Sequence, residues 1–185
     1  MKTNPRKGLA AFTLIELMAV ITIIVILAGL VVGGLGYVTE KQASSKAKVQ
    51  IALLSKALEE YKLDTGSYPL TDNKSGAFTS SGGTGTSSIL FKALYSDGAA
   101  NATKIYLPDL DPASSKQGWT VTSGTIISDP WGNQYCYRSS QPLTGTTPNS
   151  NTQNPDFDLW SMGKDGSSKP DTPTDKANRD DIKNF

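Results

Sequence analysis

The chain has 185 residues with 18 Lys and Arg against 17 Asp and Glu, a formal net charge of +1, which fits one domain with an appendage and argues against nucleic-acid binding through bulk basic charge. It has no histidine and one cysteine, Cys136, which excludes Ser-His-Asp and Cys-His catalysis, an intrachain disulfide and cysteine-based metal clusters. Any metal site must therefore use oxygen ligands, as a hard cation such as calcium does.

The N-terminal region predicts a membrane-spanning helix. Residues 1–11 contain three basic side chains and no acid, and residues 17–35 are 19 residues interrupted only by Thr22 and glycines. A helix needs about 20 apolar residues to cross the hydrocarbon core. Because basic residues precede this segment and none follows it closely, the N-terminus is predicted to be cytoplasmic.

Glu16 is the single charged residue between residues 12 and 38. A carboxylate at the bilayer centre costs about 2.5–3.5 kcal/mol, and less near a helix N-terminus, where the helix dipole favours an anion. The apolar segment is too long for the hydrophobic region of a secretory signal peptide. A plain single-pass anchor remains an alternative, but a membrane carboxylate indicates a functional partner.

The helical pattern continues well beyond the apolar segment. No proline occurs between Phe12 and Tyr68, and Gly66 is a candidate helix cap, so a helix is predicted from Phe12 to about Asp64. At about 1.5 Å per residue it is roughly 80 Å long, and its first half is expected to protrude. One helical stripe is predicted to pack in a core: Ala47, Ile51, Leu54, Leu58 and Tyr61.

The remaining chain predicts a small antiparallel sheet that covers this stripe, giving an α+β head. A variable loop at residues 70–88 precedes a short helix at 89–94. Residues 119–127 read as one strand, and a turn at 129–133 separates it from strands at 134–138 and 157–161.

The tail is strongly acidic. Residues 155–185 contain seven aspartates and no glutamate. Clustered carboxylates repel one another unless solvent or a cation offsets their charge, and calcium accepts 6–8 oxygen ligands in irregular loops. The spacing is not that of an EF-hand. A solvated acidic tail remains the alternative.

The segment AFTLIEL at residues 11–17 resembles the class III signal of type IV pilins and type II secretion pseudopilins. The resemblance implies that a prepilin peptidase cuts between Ala11 and Phe12 and that Phe12 is then N-methylated. It also implies that Glu16 neutralises the Phe12 amine of a neighbouring subunit. The family usually has glycine where this chain has Ala11.

Further segments resemble the major pseudopilins of type II secretion: GSYP at 66–69, DPWGNQY at 129–135, DLWSMGKDG at 158–166 and DDIKN at 180–184. Residues 70–118 fall outside the resemblance. It implies a type IV pilin-like fold with a C-terminal calcium loop at residues 162–185. The implied ligands are Asp165, Asp180 and Asp181 through side chains and Met162 and Asn178 through backbone carbonyls, with Asp171 and Asp175 as alternatives in a longer link.

The expected protein is therefore a non-enzymatic subunit of a type II secretion pseudopilus. A leader (residues 1–11), a membrane and filament-core helix (12–36) and a periplasmic head (37–185) are expected, anchored in the inner membrane before a filament forms in the periplasm. Expected partners are its own copies, prepilin peptidase, the inner-membrane assembly platform, minor pseudopilins and the membrane, with no nucleic acid. The alternatives are a type IV pilin for adhesion, motility or DNA uptake, and a membrane-anchored periplasmic enzyme or calcium-dependent binding protein.

Overall fold

The computed structural model describes residues 12–72, 78–79, 86–95, 104–110, 116–122, 126–142 and 147–185. Within these residues, two α-helices and seven short strands follow one another. They are α1 (Leu14–Thr65), β1 (Phe78–Thr79), α2 (Ser87–Tyr95), β2 (Thr120–Thr122), β3 (Ile126–Ser128), β4 (Cys136–Ser139), β5 (Phe157–Ser161), β6 (Ser167–Ser168) and β7 (Ile182–Lys183). Single 3-10 turns lie at Pro108–Leu110, Lys116–Gly118 and Lys176–Asn178.

The chain divides into two units, one ending at Lys41 and one from Gln42 to Phe185. In the described part of the first unit, the large apolar side chains from Phe12 to Val38 are between 47% and 80% exposed. The helix there is long and apolar enough to cross a membrane. Such a surface needs lipid or other apolar helices to cover it, because exposed apolar area of this extent is unfavourable in water.

The second unit has its own hydrophobic core. Ala47, Ile51, Leu54 and Leu58 of α1 are at most 5% exposed, and Tyr61 packs beside them at the edge. This confirms the predicted buried stripe. The same cluster contains buried side chains from α2 and from the sheet: Leu90, Phe91, Leu94, Tyr135, Tyr137 and Leu159.

Helix α1 ends close to the predicted position. Gly66 follows its last residue with a φ of +84°, and the Gly66 N–H donates to the Lys62 carbonyl at 2.8 Å. A left-handed residue at this point satisfies a carbonyl that the last helical turn leaves open, and glycine adopts it without steric cost.

The strands form three small antiparallel sheets rather than one: β1 with β6, β2 with β3, and β4–β5–β7. The segment 119–127, predicted as one strand, instead contains β2 and the start of β3, which pair with each other as antiparallel strands. Strand β1 falls within the predicted loop at 70–88, and α2 begins two residues earlier than predicted. The turn at 129–133 and the strand at 157–161 are confirmed.

Gln50 supplies a polar connection inside this unit. Its side chain is 1% exposed. The Gln50 amide donates to the carbonyls of Gln117 and Gly118 at 3.3 and 3.4 Å, and its oxygen accepts from the Tyr135 hydroxyl at 2.7 Å. One side chain of α1 thus holds both the turn before β2 and the residue before β4.

A smaller buried cluster lies beneath the tail. Cys136, Trp160 and Met162 are fully buried, and the ring of Phe185 packs against them, with the Trp160 and Phe185 rings 6.0 Å apart. Cys136 is therefore a buried free thiol that packs in this cluster.

Candidate assembly and metal-binding residues

Glu16 lies in the first turn of α1 and is engaged by Thr13. The Thr13 hydroxyl and the Thr13 N–H both donate to Oε2 of Glu16, at 2.8 and 3.0 Å. In return, the Glu16 N–H donates to the Thr13 hydroxyl oxygen at 3.3 Å. This reciprocal arrangement is a capping box, which satisfies backbone donors that have no partner in the first helical turn.

The capping box gives Glu16 a structural role within its own chain. Within the described residues, both hydrogen bonds that its carboxylate accepts go to Oε2, and Oε1 accepts none. One oxygen is therefore committed to the helix end, and the other is available to a cation. The role of Thr13 was not predicted, although the Thr-x-x-Glu spacing is the sequence signature of this motif.

The predicted cleavage position is only partly described. Phe12 is 80% exposed and lies directly before Thr13. Ala11 and the rest of the predicted leader lie outside the described residues. The exposed Phe12 is compatible with a new N-terminus at this residue.

Asp165 and Asp180 come together in the tail. The Asp165 N–H donates to Oδ2 of Asp180 at 2.9 Å, and Oδ1 of Asp165 accepts from the Ser167 N–H at 2.8 Å. Gly163 lies next to Asp180 and has a φ of +63°. Its Cα faces the backbone carbonyl and the carboxylate of Asp180. The turn after β5 thus meets the segment before β7 at these three residues.

Asp181 is buried beside this junction. Its Oδ2 accepts from the Ser168 hydroxyl at 2.6 Å and lies 3.4 Å from the Lys183 ammonium. Its Oδ1 is buried and has no hydrogen-bond partner among the described residues. Burial raises the pKa of the Asp181 carboxyl to about 6, since the charged form loses its solvation.

The two alternative ligands are each paired with a cation. Oδ1 of Asp171 accepts from the Arg138 guanidinium at 2.7 Å. Asp175 lies 2.8 Å from the Lys169 ammonium and caps the turn at Lys176–Asn178. The Lys169 ammonium, followed by the Ala177 N–H, lowers the pKa of the Asp175 carboxyl.

Met162 and Asn178, which are expected to supply backbone carbonyls as ligands, are both fixed by contacts with the surrounding chain. Met162 is fully buried in the cluster with Cys136 and Trp160. The Asn178 amide bridges the tail, since its oxygen accepts from the Lys169 N–H at 2.7 Å and its nitrogen donates to the Thr172 carbonyl at 2.8 Å. These contacts hold both residues in place.

These residues fit a hard cation in their chemistry. The buried Oδ1 of Asp181 has no hydrogen-bond partner among the described residues, and the expected side-chain and backbone ligands are all oxygens, as calcium prefers. In the part of the chain that the structure describes, no three acidic or cysteine side chains gather so as to hold a metal ion by themselves. Backbone carbonyls and water would have to supply part of the ligand set.

The junction at Gly163 yields a prediction. A Cβ at this position would overlap the backbone carbonyl and carboxylate of Asp180, whereas a Cβ at Gly66 meets open space. Both glycines have positive φ, so Gly66→Ala should lose only the left-handed strain, about 1–2 kcal/mol. Gly163→Ala should lose about 2–4 kcal/mol, because overpacking adds to the strain.

The measurement is urea unfolding of the full chain in detergent micelles, followed by fluorescence of the three tryptophans. All three, Trp119, Trp131 and Trp160, lie in the second unit. Equal losses in the two variants would contradict the close approach of Asp180 to Gly163.

Two family models match the chain. The prokaryotic N-terminal methylation motif matches residues 6–32. The model of type II secretion system protein G matches residues 36–96. The first match covers the segment that holds Thr13 and Glu16, and the second covers the rest of α1 and α2.

Curated relatives match over most of the chain. The type II secretion system core protein G of Vibrio cholerae serotype O1 is 30% identical over 84% of this chain and 80% of its own length. That of Escherichia coli K12 is 34% identical over 72% of each chain. That of Aeromonas hydrophila is 31% identical over 88% of this chain and 87% of its own. With its pilin-like combination of one long apolar helix and small antiparallel sheets, the chain belongs to the type II secretion system core protein G family.

Proposed function

We propose that this chain is a non-enzymatic structural subunit of a type II secretion pseudopilus, which polymerises through its N-terminal helix and thereby drives protein export across the outer membrane. Family membership supports this role. The observation that carries the assembly mechanism is the carboxylate of Glu16, which lies at the start of a helix whose apolar side chains are exposed.

Before assembly, lipid covers the exposed apolar side chains of α1. The subunit spans the inner membrane once, with its N-terminus in the cytoplasm and its head in the periplasm, an orientation that the basic residues before the apolar segment support. Glu16 lies near the entry of this segment, where the Thr13 hydroxyl and N–H replace water at Oε2. These hydrogen bonds reduce the cost of keeping the carboxylate in the membrane.

During assembly, apolar helices of other copies replace the lipid. Repetition of one such heterologous contact produces an open helical polymer that grows rather than closes. Oε1 of Glu16 pairs with the N-terminal amine of Phe12 on a neighbouring subunit. A paired charge is tolerated in an apolar surrounding where a single charge is not, so this pair sets the axial register of the filament.

Assembly requires prior removal of the leader. Prepilin peptidase cuts between Ala11 and Phe12, and the Phe12 amine is methylated; the match to the methylation motif over residues 6–32 supports both steps. The inner-membrane assembly platform and minor pseudopilins then act on the mature subunit, and the filament lies in the periplasm.

Calcium binds the tail in this proposal. Asp165, Asp180 and Asp181 supply side-chain oxygens, and Met162 and Asn178 supply backbone carbonyls. A bound ion would supply positive charge that offsets repulsion among these carboxylates, which lie in the turn after β5 and in the segment before β7. The unpartnered Oδ1 of Asp181 supports this assignment. Asp171 and Asp175 are left out of the ligand set because they pair closely with Arg138 and Lys169, at 2.7 and 2.8 Å. Asp181 lies farther from Lys183, at 3.4 Å, and keeps a buried Oδ1 without a hydrogen-bond partner among the described residues.

Glu16→Gln tests the register. Glutamine retains a side-chain oxygen that accepts from Thr13, so the helix cap is kept while the counter-charge for the Phe12 amine is lost. We expect loss of filaments at normal subunit level, measured by electron microscopy and immunoblotting of sheared fractions. Glu40→Gln, the same change farther along α1, should assemble normally. Abundant filaments of Glu16→Gln would show that the charge pair does not set the register.

The processing step predicts the mass of the mature protein. In cells with prepilin peptidase, the intact mass should correspond to a chain that starts at Phe12 and carries one methyl group. In cells without the peptidase, the protein should keep residues 1–11. A mature chain with any other first residue would disprove cleavage after Ala11.

Calcium binding predicts a change in thermal stability. For the full chain in detergent micelles, calcium at about 100 times its dissociation constant should raise Tm by about 5–10 °C relative to chelator. Asp181→Asn should lose this shift. Asp156→Asn, which removes an exposed carboxylate paired with Lys62, should keep it. A wild-type Tm that is the same in calcium and in chelator would disprove the site.

A further inference from the structure

A buried arginine lies between two carboxylates at the edge of the tail. The Arg138 side chain is 2% exposed, and its guanidinium lies over the Trp160 ring at 5.3 Å. Nη2 of Arg138 donates to Oδ2 of Asp158 at 3.3 Å, and Nη1 donates to Oδ1 of Asp171 at 2.7 Å. A planar guanidinium suits this arrangement because its donors point in several fixed directions.

The Asp158 side of this group is completely buried. Asp158 is 0% exposed, and its carboxylate also accepts from the N–H groups of Gln153 and Asn154, both at 2.8 Å. Arg138 on β4 and Asp158 on β5 face each other in the register of these paired strands. This half of the group is therefore fixed by the sheet and does not depend on the tail.

The Asp171 side belongs to the tail loop, defined here as residues 167–178. The loop begins at β6 and ends in the turn at Lys176–Asn178. Its other ion pair, Lys169–Asp175, lies within the loop itself, with 45% and 26% of the two side chains exposed. That pair cannot attach the loop to the sheet, and exposed pairs contribute little stability.

The loop has a second attachment through Ser168, whose hydroxyl donates to Asp181. Asp181 belongs to the proposed calcium site, so this attachment depends on the state of that site. The Arg138–Asp171 pair joins the loop to β4 at a different point, with a charge supplied by the chain itself.

We propose that Arg138 is a positioning residue that holds the tail loop on the sheet through Asp171, without the participation of a metal ion. The inference goes beyond the proposed function, because it assigns to Asp171 a partner within the fold and does not require calcium to bind.

Limited proteolysis of the full chain in detergent tests this attachment. Lys176 and Arg179 are exposed, so trypsin cleavage after them reports opening of the tail, while Pro170 protects the bond after Lys169. Asp171→Asn leaves the buried Arg138–Asp158 pair intact. We expect it to speed cleavage at these two sites at least about five-fold in chelator, because local opening becomes easier.

Asp171→Glu should restore most of the protection, since it keeps the charge, and Asp156→Asn, the same change outside the loop, should cleave like wild type. In the double variant Arg138→Met with Asp171→Asn, cleavage should be no faster than in Arg138→Met alone. If Arg138→Met does not fold, the comparison of Asp171→Asn with Asp171→Glu shows whether the charge of Asp171 holds the loop.

The outcomes separate this attachment from the calcium site. Faster cleavage of Asp171→Asn in chelator supports the attachment, whether or not calcium affects the wild type. Cleavage equal to that of Asp156→Asn in chelator would overturn it. An effect confined to samples with calcium would also overturn it, because Asp171 would then act as a metal ligand.

Discussion

The first half of α1 has an apolar surface that no other described residue of its unit covers, and it carries one carboxylate. The fold of the second unit and the cap at the start of α1 both leave this apolar surface uncovered. The second unit completes its own core with a separate stripe of the same helix, from Ala47 to Leu58. The exposed segment is therefore not needed to fold the head, and it remains available to lipid or to other helices. The capping box satisfies the helix end without using both oxygens of Glu16.

The head relies on side-chain hydrogen bonds because its strands have only two to five residues. Strands this short supply few backbone hydrogen bonds, so polar side chains join the pieces. Oδ1 of Asp129 accepts from the N–H groups of Trp131 and Asn133, and its Oδ2 accepts from the Ser161 hydroxyl. The side chains of Gln50 and Arg138 also join separate segments of the head through hydrogen bonds. Hydrogen bonds between buried polar groups favour one arrangement of such segments over others.

The sequence predicted the features that depend on a long periodic pattern or a strong turn signal. The stripe of α1, its end near Gly66, the turn at Asp129 and strand β5 are of this kind. The two-residue strands β1, β6 and β7 could not be predicted, since two residues have no periodicity and their pairing depends on distant partners. The pairing of β2 with β3 differs from the single strand that the Thr-, Val- and Ile-rich composition of this segment predicts, because composition alone does not show where a strand is interrupted.

The candidate site residues also divide into those that a local motif predicts and those that depend on distant partners. Glu16 and the aspartates of the tail follow from local motifs, and Thr13 could have been found from its spacing to Glu16. Arg138 and Asp171 are 33 positions apart in the sequence. No motif in the segment between them predicts that they pair. Only the folded chain shows which basic side chain each of these aspartates pairs with, and that Oδ1 of Asp181 is buried without a hydrogen-bond partner among the described residues.

Cys136 has a consequence for the proposed filament, in which copies of the chain pack against one another. It is fully buried, and burial raises the pKa of its thiol, so almost no thiolate forms at neutral pH. Disulfide exchange requires the thiolate and access to it. In the proposed periplasmic filament, neighbouring copies are therefore not expected to become cross-linked at this position, and their association would not depend on a disulfide bond.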